Sequence, residues 1–150
     1  AAHDTLVGSI LDTLAPEATV ISSFSSANSL NLQTHIGSIL HDAGVKQYIV
    51  FVAPPGGAVV KNVYVLSATA VTANGTNKWL VNVNNPTDSV SLVAAQATTA
   101  STAITAYGLW SVGAISNGTL QADDVVTVAF TGAGSVVVLG DTSIIVNFTR

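Results

Sequence analysis

Asp124-Val-Val-Thr-Val-Ala-Phe-Thr131, then Gly132-Ala-Gly134, Ser135-Val-Val-Val-Leu139, Gly140-Asp141 and Ser143-Ile-Ile-Val-Asn-Phe148 together decide the fold class. Val126, Val128 and Phe130 share one side of an extended chain, and Thr127, Ala129 and Thr131 share the other. A period of two suits a strand with one buried face and cannot serve a helix, whose apolar stripe repeats every 3–4 residues. The Gly-rich pairs between the runs supply turns too short for a parallel crossover. Ile144, Val146 and Phe148 alternate in the same way with Ile145 and Asn147.

Upstream the pattern repeats. Gln47 to Val52 is a dense run of β-formers that stops at Pro54-Pro55-Gly56-Gly57, where neither a helix nor a central strand continues. Ala58 to Leu66 and Ser67 to Thr76 follow, the second closed by Asn74-Gly75, a hairpin-turn pair. Lys78 to Val83 sets Trp79, Val81 and Val83 against Lys78 and Asn82, and Asn84-Asn85-Pro86 breaks it. Val90 to Thr105 is Ala- and Thr-rich and reads either as a strand with a long loop or as a short helix. Tyr107 to Ile115 reads as a strand turned at Asn117-Gly118. Seven or eight short strands with regular turn signals predict an all-β antiparallel sandwich, jelly-roll-like.

Charge separates this body from what precedes it. Residues 1–44 hold Asp4, Asp12, Glu17 and Asp42 and no Lys or Arg, whereas residues 45–150 balance Lys46, Lys61, Lys78 and Arg150 against Asp88, Asp123, Asp124 and Asp141. With its Ser/Asn-rich stretch from Ser22 to Asn31, the segment 1–44 reads as an extended N-terminal arm, and 45–150 as the sandwich body. The arm contains an echo, Val7-Gly-Ser-Ile-Leu11 against Ile36-Gly-Ser-Ile-Leu40. Two copies fall short of a solenoid; they read as two similar docking segments or as coincidence in a Ser/Ile/Leu-rich region.

Composition narrows function. Of 150 residues, 8% are charged against 49% hydrophobic, so Ser, Thr and Asn must cover the surface, or much of it is buried against other chains where charges are costly to desolvate. Four basic residues cannot track a phosphate backbone, which argues against nucleic acid as a partner. No apolar run reaches the ~18 residues of a membrane span and none reads as a signal peptide, so no membrane partner is expected. Zero Cys removes thiolate chemistry.

Little catalytic chemistry is legible. His3, His35 and His41 all lie in the arm; a strand would hold the last two ~20 Å apart, so no metal site and no cofactor are expected. A hydrolase would need one of them beside a Ser and an Asp in a cleft. Asp123-Asp124 reads as a turn before a strand rather than an acid/base or Ca²⁺ pair. Trp79, Trp110, Tyr64 and Tyr107 read as core or subunit interface rather than a sugar-stacking platform. Asn74-Gly-Thr76, Asn117-Gly-Thr119 and Asn147-Phe-Thr149 fit the glycosylation acceptor pattern, and the first two read as hairpin turns.

Phe51-Val-Ala-Pro-Pro-Gly-Gly-Ala-Val-Val-Lys-Asn-Val-Tyr-Val65, Ala70-Val-Thr-Ala-Asn-Gly-Thr-Asn77, Val81-Asn-Val-Asn84 and Leu120-Gln-Ala-Asp-Asp-Val-Val-Thr-Val128 carry a resemblance over residues 48–148. These stretches resemble capsid decoration (cement) and head-fibre-type proteins of tailed bacteriophages. Asp123 departs from that pattern, where Gly is usual, as does the Asn84-Asn85-Pro86-Thr87 turn, where relatives often carry a Gly-rich insertion. The resemblance implies a non-enzymatic virion protein on the outer capsid surface, assembled in the host cytoplasm. Its implied partners are the major capsid protein and further copies of itself, usually as a trimer, and it offers no catalytic residues. Arm anchors for such contacts are expected at Leu6, Ile10, Leu11, Leu14, Ile36, Ile39 and Leu40. The reading from another class is a glycan-binding or adhesin module.

Overall fold

The computed structural model describes residues 29–42 and 44–150, which fold into ten β-strands with no helix among them. They are β1 (Leu30–Ile39), β2 (Val45–Val52), β3 (Ala58–Leu66), β4 (Lys78–Asn85), β5 (Val90–Ser91), β6 (Ala97–Thr98), β7 (Leu109–Ser111), β8 (Thr119–Leu120), β9 (Val125–Ala133) and β10 (Leu139–Thr149). One sheet has the order β1-β10-β3-β7, with β8 also on β3; the other has β2-β9-β4-β5, with β6 also on β4. Every pairing is antiparallel. If β5 with β6, and β7 with β8, each count as one interrupted strand, two four-stranded sheets face each other. The first and last strands are neighbours, as in a jelly roll.

The period-two reading decides which side chains meet between the sheets. Trp79, Val81 and Val83 of β4, Val126, Val128 and Phe130 of β9, and Ile144 and Val146 of β10 are all buried. Val60, Val63 and Val65 join them from β3. Lys61 interrupts that alternation: the β3–β10 register shifts at Asn147/Phe148, so Val60 and Val63 both point inward across a bulge. Trp79 spans the centre, edge-on to Phe130 at 6.3 Å between ring centroids, and its indole N–H donates to the Val137 carbonyl at 2.8 Å.

Three stretches depart from the sequence expectation. Leu30–Ile39, expected within the arm, is a full edge strand paired with β10 from Leu30↔Phe148 to Ile39↔Leu139. Leu30, Leu32, Thr34 and Ile36 do alternate with Asn31, Gln33 and His35, but a register partner more than a hundred residues away is invisible locally. The remainder of the expected arm, residues 1–28, lies outside the described residues. Ser135 to Leu139, expected as a strand, is a connection, and β10 runs unbroken from Leu139 through Gly140-Asp141, with Asp141 in the left-handed region at φ 46°. Ser67 to Thr76 keeps only an isolated bridge, Val71 to Ile104.

Candidate functional site

The outer faces of the sheets are mostly rows of uncharged side chains, interrupted by Lys78 at the start of β4 and Lys61 at the β3 bulge. On the β2-β9-β4 sheet the rows are Val45–Thr131–Leu80, Gln47–Ala129–Asn82 and Ile49–Thr127–Asn84. On the other sheet they are Asn31–Asn147–Asn62, Gln33–Ile145–Tyr64 and His35–Ser143–Leu66. Their polar groups bond sideways. The Gln47 amide donates to the Thr127 hydroxyl at 2.8 Å, the Asn82 amide to the Asn84 side-chain carbonyl at 3.1 Å, and the Asn147 amide to that of Asn31 at 2.9 Å. Groups already satisfied within the face lose little when water is removed.

Several exposed apolar side chains lie near one another on β1 and β2, while Val90, Tyr107, Leu109, Val137 and Val138 are exposed elsewhere. Among the described residues, Leu30, Leu32, Leu40, Val45, Ile49 and Val52 are exposed, and all lie on β1, on β2 or in the corner between them. These are the edge strands of the two sheets. Their rims are stitched mid-way by the Thr34 hydroxyl, which donates to the Val50 carbonyl at 3.2 Å. On the Leu30 side of that point Phe51 and Phe148 meet with ring centroids 4.6 Å apart and planes tilted by 55°.

The expected arm anchors divide accordingly. Leu6, Ile10, Leu11 and Leu14 lie outside the described residues. Ile39 is 0% exposed and Ile36 is partly buried against the core, so both help hold β1 to its own sandwich. Of the expected anchors within the described residues, Leu40 is exposed. Val45, Ile49 and Val52, which sequence reading did not single out, are the larger apolar surface. Their signal was present in Gln47 to Val52, an apolar run too dense for a one-sided strand.

One histidine does meet a serine and an aspartate. His35 Nδ1 lies 3.4 Å from the Ser143 hydroxyl, and His35 Nε2 lies 3.4 Å from Asp141 Oδ1. A serine nucleophile needs an accessible hydroxyl, with its base oriented by a buried carboxylate. Here the burial is inverted: Ser143 is buried, whereas the Asp141 and His35 side chains stand mostly in water. His35 and Ser143 are direct cross-strand partners on an open sheet face, without a cleft, so the trio reads as a strand contact. His41 does different work, packing edge-on against Trp79 at 6.2 Å and closing one end of the core.

Asp123 and Asp124 behave as turn residues. Asp123 sits at φ 68°, the left-handed conformation that explains why Gly is at home there, and its N–H donates to the Ala53 carbonyl at 3.0 Å. Asp124 is buried, accepting from the Gln121 N–H at 2.8 Å and the Asn85 amide at 3.1 Å. The same Asn85 amide donates to Asp88 at 3.1 Å, while the Asn85 carbonyl accepts from the N–H groups of Thr87 and Asp88. Beside this hub lies an open pocket of about 300 Å³ lined by Asn85, Asp88, Val90, Ser116, Asn117 and Thr119. Trp79 and Trp110 are buried and offer no sugar platform.

No protein-family profile matches the chain, and no curated protein does. Two solved structures are similar to it. A chain of the cyanophage Pam1 capsid asymmetric unit is 19% identical, with 81% of this chain and 84% of that one covered at a TM-score of 0.40. A chain of infectious bursal disease virus, Gx strain, is 10% identical at a TM-score of 0.36, and the match spans 81% of this chain and 33% of that one.

Proposed function

We propose that this chain is a structural virion protein that decorates the outer capsid surface of a tailed bacteriophage, as an oligomer (a trimer, as the resemblance above implies), and stabilises the shell by clamping neighbouring major capsid subunits. The observation that carries the reading is the pair of charge-poor sheet faces with their polar groups bonded sideways, bordered along β1 and β2 by exposed Leu, Ile and Val. Such surfaces lose little when buried against protein, and they are uncommon on a domain that stays alone in water, where roughly a quarter of residues are charged. The resemblance of residues 48–148 to decoration proteins supplies the partner. Leu6, Ile10, Leu11, Leu14 and Leu40 are the proposed arm anchors, added to Val45, Ile49 and Val52 of the body. Repeated weak contacts around an oligomer multiply through effective concentration.

The test is sedimentation of the full chain with capsids of the phage that encodes it, lacking the chain beforehand. Saturable co-sedimentation and a higher temperature of shell rupture are expected. A chain left in the supernatant at every ratio overturns the proposal. The polar pocket beside Asn85 favours a second reading, a glycan-binding module. Glycan-array binding abolished by Asp88→Ala would establish it, and an array without signal dismisses it.

A further inference from the structure

We propose that Asn74 is a self-modification site of the folded protein. The Gly75 nitrogen attacks the Asn74 side-chain amide and the residue ends as aspartate or isoaspartate, whereas the fold withholds the same reaction from Asn117. The proposal goes beyond the capsid reading and does not depend on it.

Asn-Gly occurs twice in the sequence, each time as Asn-Gly-Thr: Asn74-Gly75-Thr76 and Asn117-Gly118-Thr119. Glycine suits the attacking role because it has no Cβ to crowd its nitrogen and turns freely about its backbone. Local sequence offers the two asparagines the same chemistry, so a difference between them must come from the fold.

The reaction balances with water as the only co-reactant. The Gly75 nitrogen gives its proton to water and bonds to Asn74 Cγ, the Cγ–Nδ2 bond breaks, and ammonia leaves with a proton taken from water. A cyclic imide remains, and water opens it at one carbonyl to aspartate or at the other to isoaspartate. Negative charge builds on Oδ1 during the attack, so donors already aimed at Oδ1 lower the barrier.

At Asn74 those donors are in place. Its Oδ1 accepts from the N–H groups of Thr76 and Asn77, each at 2.8 Å. The Thr76 bond makes an Asx turn, a small ring that contains both Cγ and the Gly75 nitrogen. Both ends of the turn are pinned: the Asn74 N–H donates to the Thr99 carbonyl at 3.1 Å, and Asn77 Oδ1 accepts from the Ser135 N–H at 2.8 Å. Gly75 between them is exposed, and a Cβ there would meet nothing within 4 Å, so it has room to move.

At Asn117 the arrangement is reversed. Its bond is made by the leaving nitrogen, which donates to the Ser91 carbonyl at 2.8 Å. Gly118 is buried, its carbonyl accepts from the Val60 N–H at 2.8 Å, and a Cβ on it would collide with the Val60 carbonyl. Swinging the Gly118 nitrogen onto Asn117 Cγ means breaking these contacts.

Aspartate at position 74 keeps an acceptor where Oδ1 stands, so the turn survives while the chain adds one negative charge to its net −4. The new carboxylate lies on the wall of a recess of about 200 Å³ shared with Thr72, Asn77 and Val137.

The test is ageing of the full chain in neutral buffer at physiological temperature, without capsids, followed by peptide mass mapping and enzymatic isoaspartate labelling. Asn74 should convert at least about tenfold faster than Asn117, a small share of the hundredfold or more that one oxyanion donor contributes in a dry active site. In denaturing urea, where both strings lose their surroundings, the two rates should agree within about threefold. Equal native rates, a faster Asn117, or a ratio preserved in urea overturns the proposal. Isoaspartate must appear beside aspartate, because direct attack by water gives aspartate alone; aspartate without isoaspartate overturns it as well. Asn74→Asp should match the aged chain on isoelectric focusing and unfold at no lower a urea midpoint than the parent; a lower midpoint refutes the surviving turn.

Discussion

Replacing Asn85 by Asp changes one atom and should cost more than deleting the side chain. Asn85 is 3% exposed, and its amide nitrogen donates to Asp88 Oδ2 and to Asp124 Oδ2, each at 3.1 Å. Its carbonyl accepts from the N–H groups of Thr87 and Asp88. Through these bonds one side chain fixes the β4–β5 turn to the start of β9. Bonds to charged acceptors contribute about 1.5–3 kcal/mol each and neutral ones about 0.5–1.5. The two backbone N–H groups lie in a turn that water can reach. Asn85→Ala is therefore expected to cost about 3 kcal/mol, a large share of the ~5–15 kcal/mol that holds a domain together.

Asn85→Asp keeps the shape and the acceptor but points an oxygen at two carboxylates. Like charges about 4 Å apart repel by roughly 4 kcal/mol at an effective dielectric of 20, so the isosteric change should be at least as damaging as the truncation. Urea unfolding followed by tryptophan fluorescence measures both, since Trp79 is buried in the core. With m of about 1–3 kcal/mol/M, Asn85→Ala lowers the midpoint by about 1–3 M at unchanged m. An Asn85→Asp variant within about 0.5 kcal/mol of the parent, the scatter of neutral surface changes, would refute the hub.

The other predictions use the same assay or the assembled state. Asp123→Gly should leave stability unchanged or raise it by up to about 1 kcal/mol, while Asp123→Ala lowers it by about 1, because the left-handed φ of 68° is costly to any residue with a Cβ and least so to Asp or Asn. Gly132→Ala puts a methyl onto the His41 ring that closes the core over Trp79; about 1–3 kcal/mol should be lost and largely recovered in the double variant with His41→Ala. Ile49→Lys should change monomer stability by less than about 0.5 kcal/mol, because Ile49 is 66% exposed, yet weaken shell binding by about 1–2 kcal/mol per copy as its apolar area fails to be buried. Binding measured between about 0.05 and 0.5 M salt should vary little, in contrast to a charge-steered interface, which weakens steeply over that range.

What the sequence could disclose depended on how far apart the deciding contacts lie. Strands whose two faces differ, such as β4 and β9, were legible from Trp79-Val81-Val83 and Val126-Val128-Phe130 alone, because alternation is a local property. β1 was not, although Leu30, Leu32 and Ile36 alternate too: its partner β10 is at the other end of the chain, and the Ser/Asn-rich stretch before it has the composition of a linker. The connection at residues 135–138 looked like a strand because Val is a strand former anywhere; Val137 is instead held by its carbonyl, as the acceptor for Trp79. At the candidate site the deficit of charge was readable from composition, but which residues face outward was not. Val45 and Ile49 are exposed because they lie on the outward face of edge strand β2, opposite Thr131 and Thr127. Ile39, an equally apolar residue six positions earlier, is buried by the Gly37 bulge.

That contrast bears on how a domain with so few charges can serve as a protein-binding surface. A charged side chain on a sheet face stays soluble but must be desolvated or paired when the face is covered, at a cost of several kcal/mol per ion. Asn, Gln and Thr whose polar atoms bond to one another across the ladder have settled most of that account before any partner arrives. Gln47 to Thr127, Asn82 to Asn84 and Asn31 to Asn147 do this on both sheets, and apart from Lys61 in β3 the charges on exposed residues lie at turns and ends: Asp42 before β2, Asp88 and Asp123 in loops, Asp141 at the bend in β10, Arg150 after it. The ends of the sandwich thus face water and its broad sides can be covered. The apolar side chains along β1 and β2 supply area that makes covering favourable.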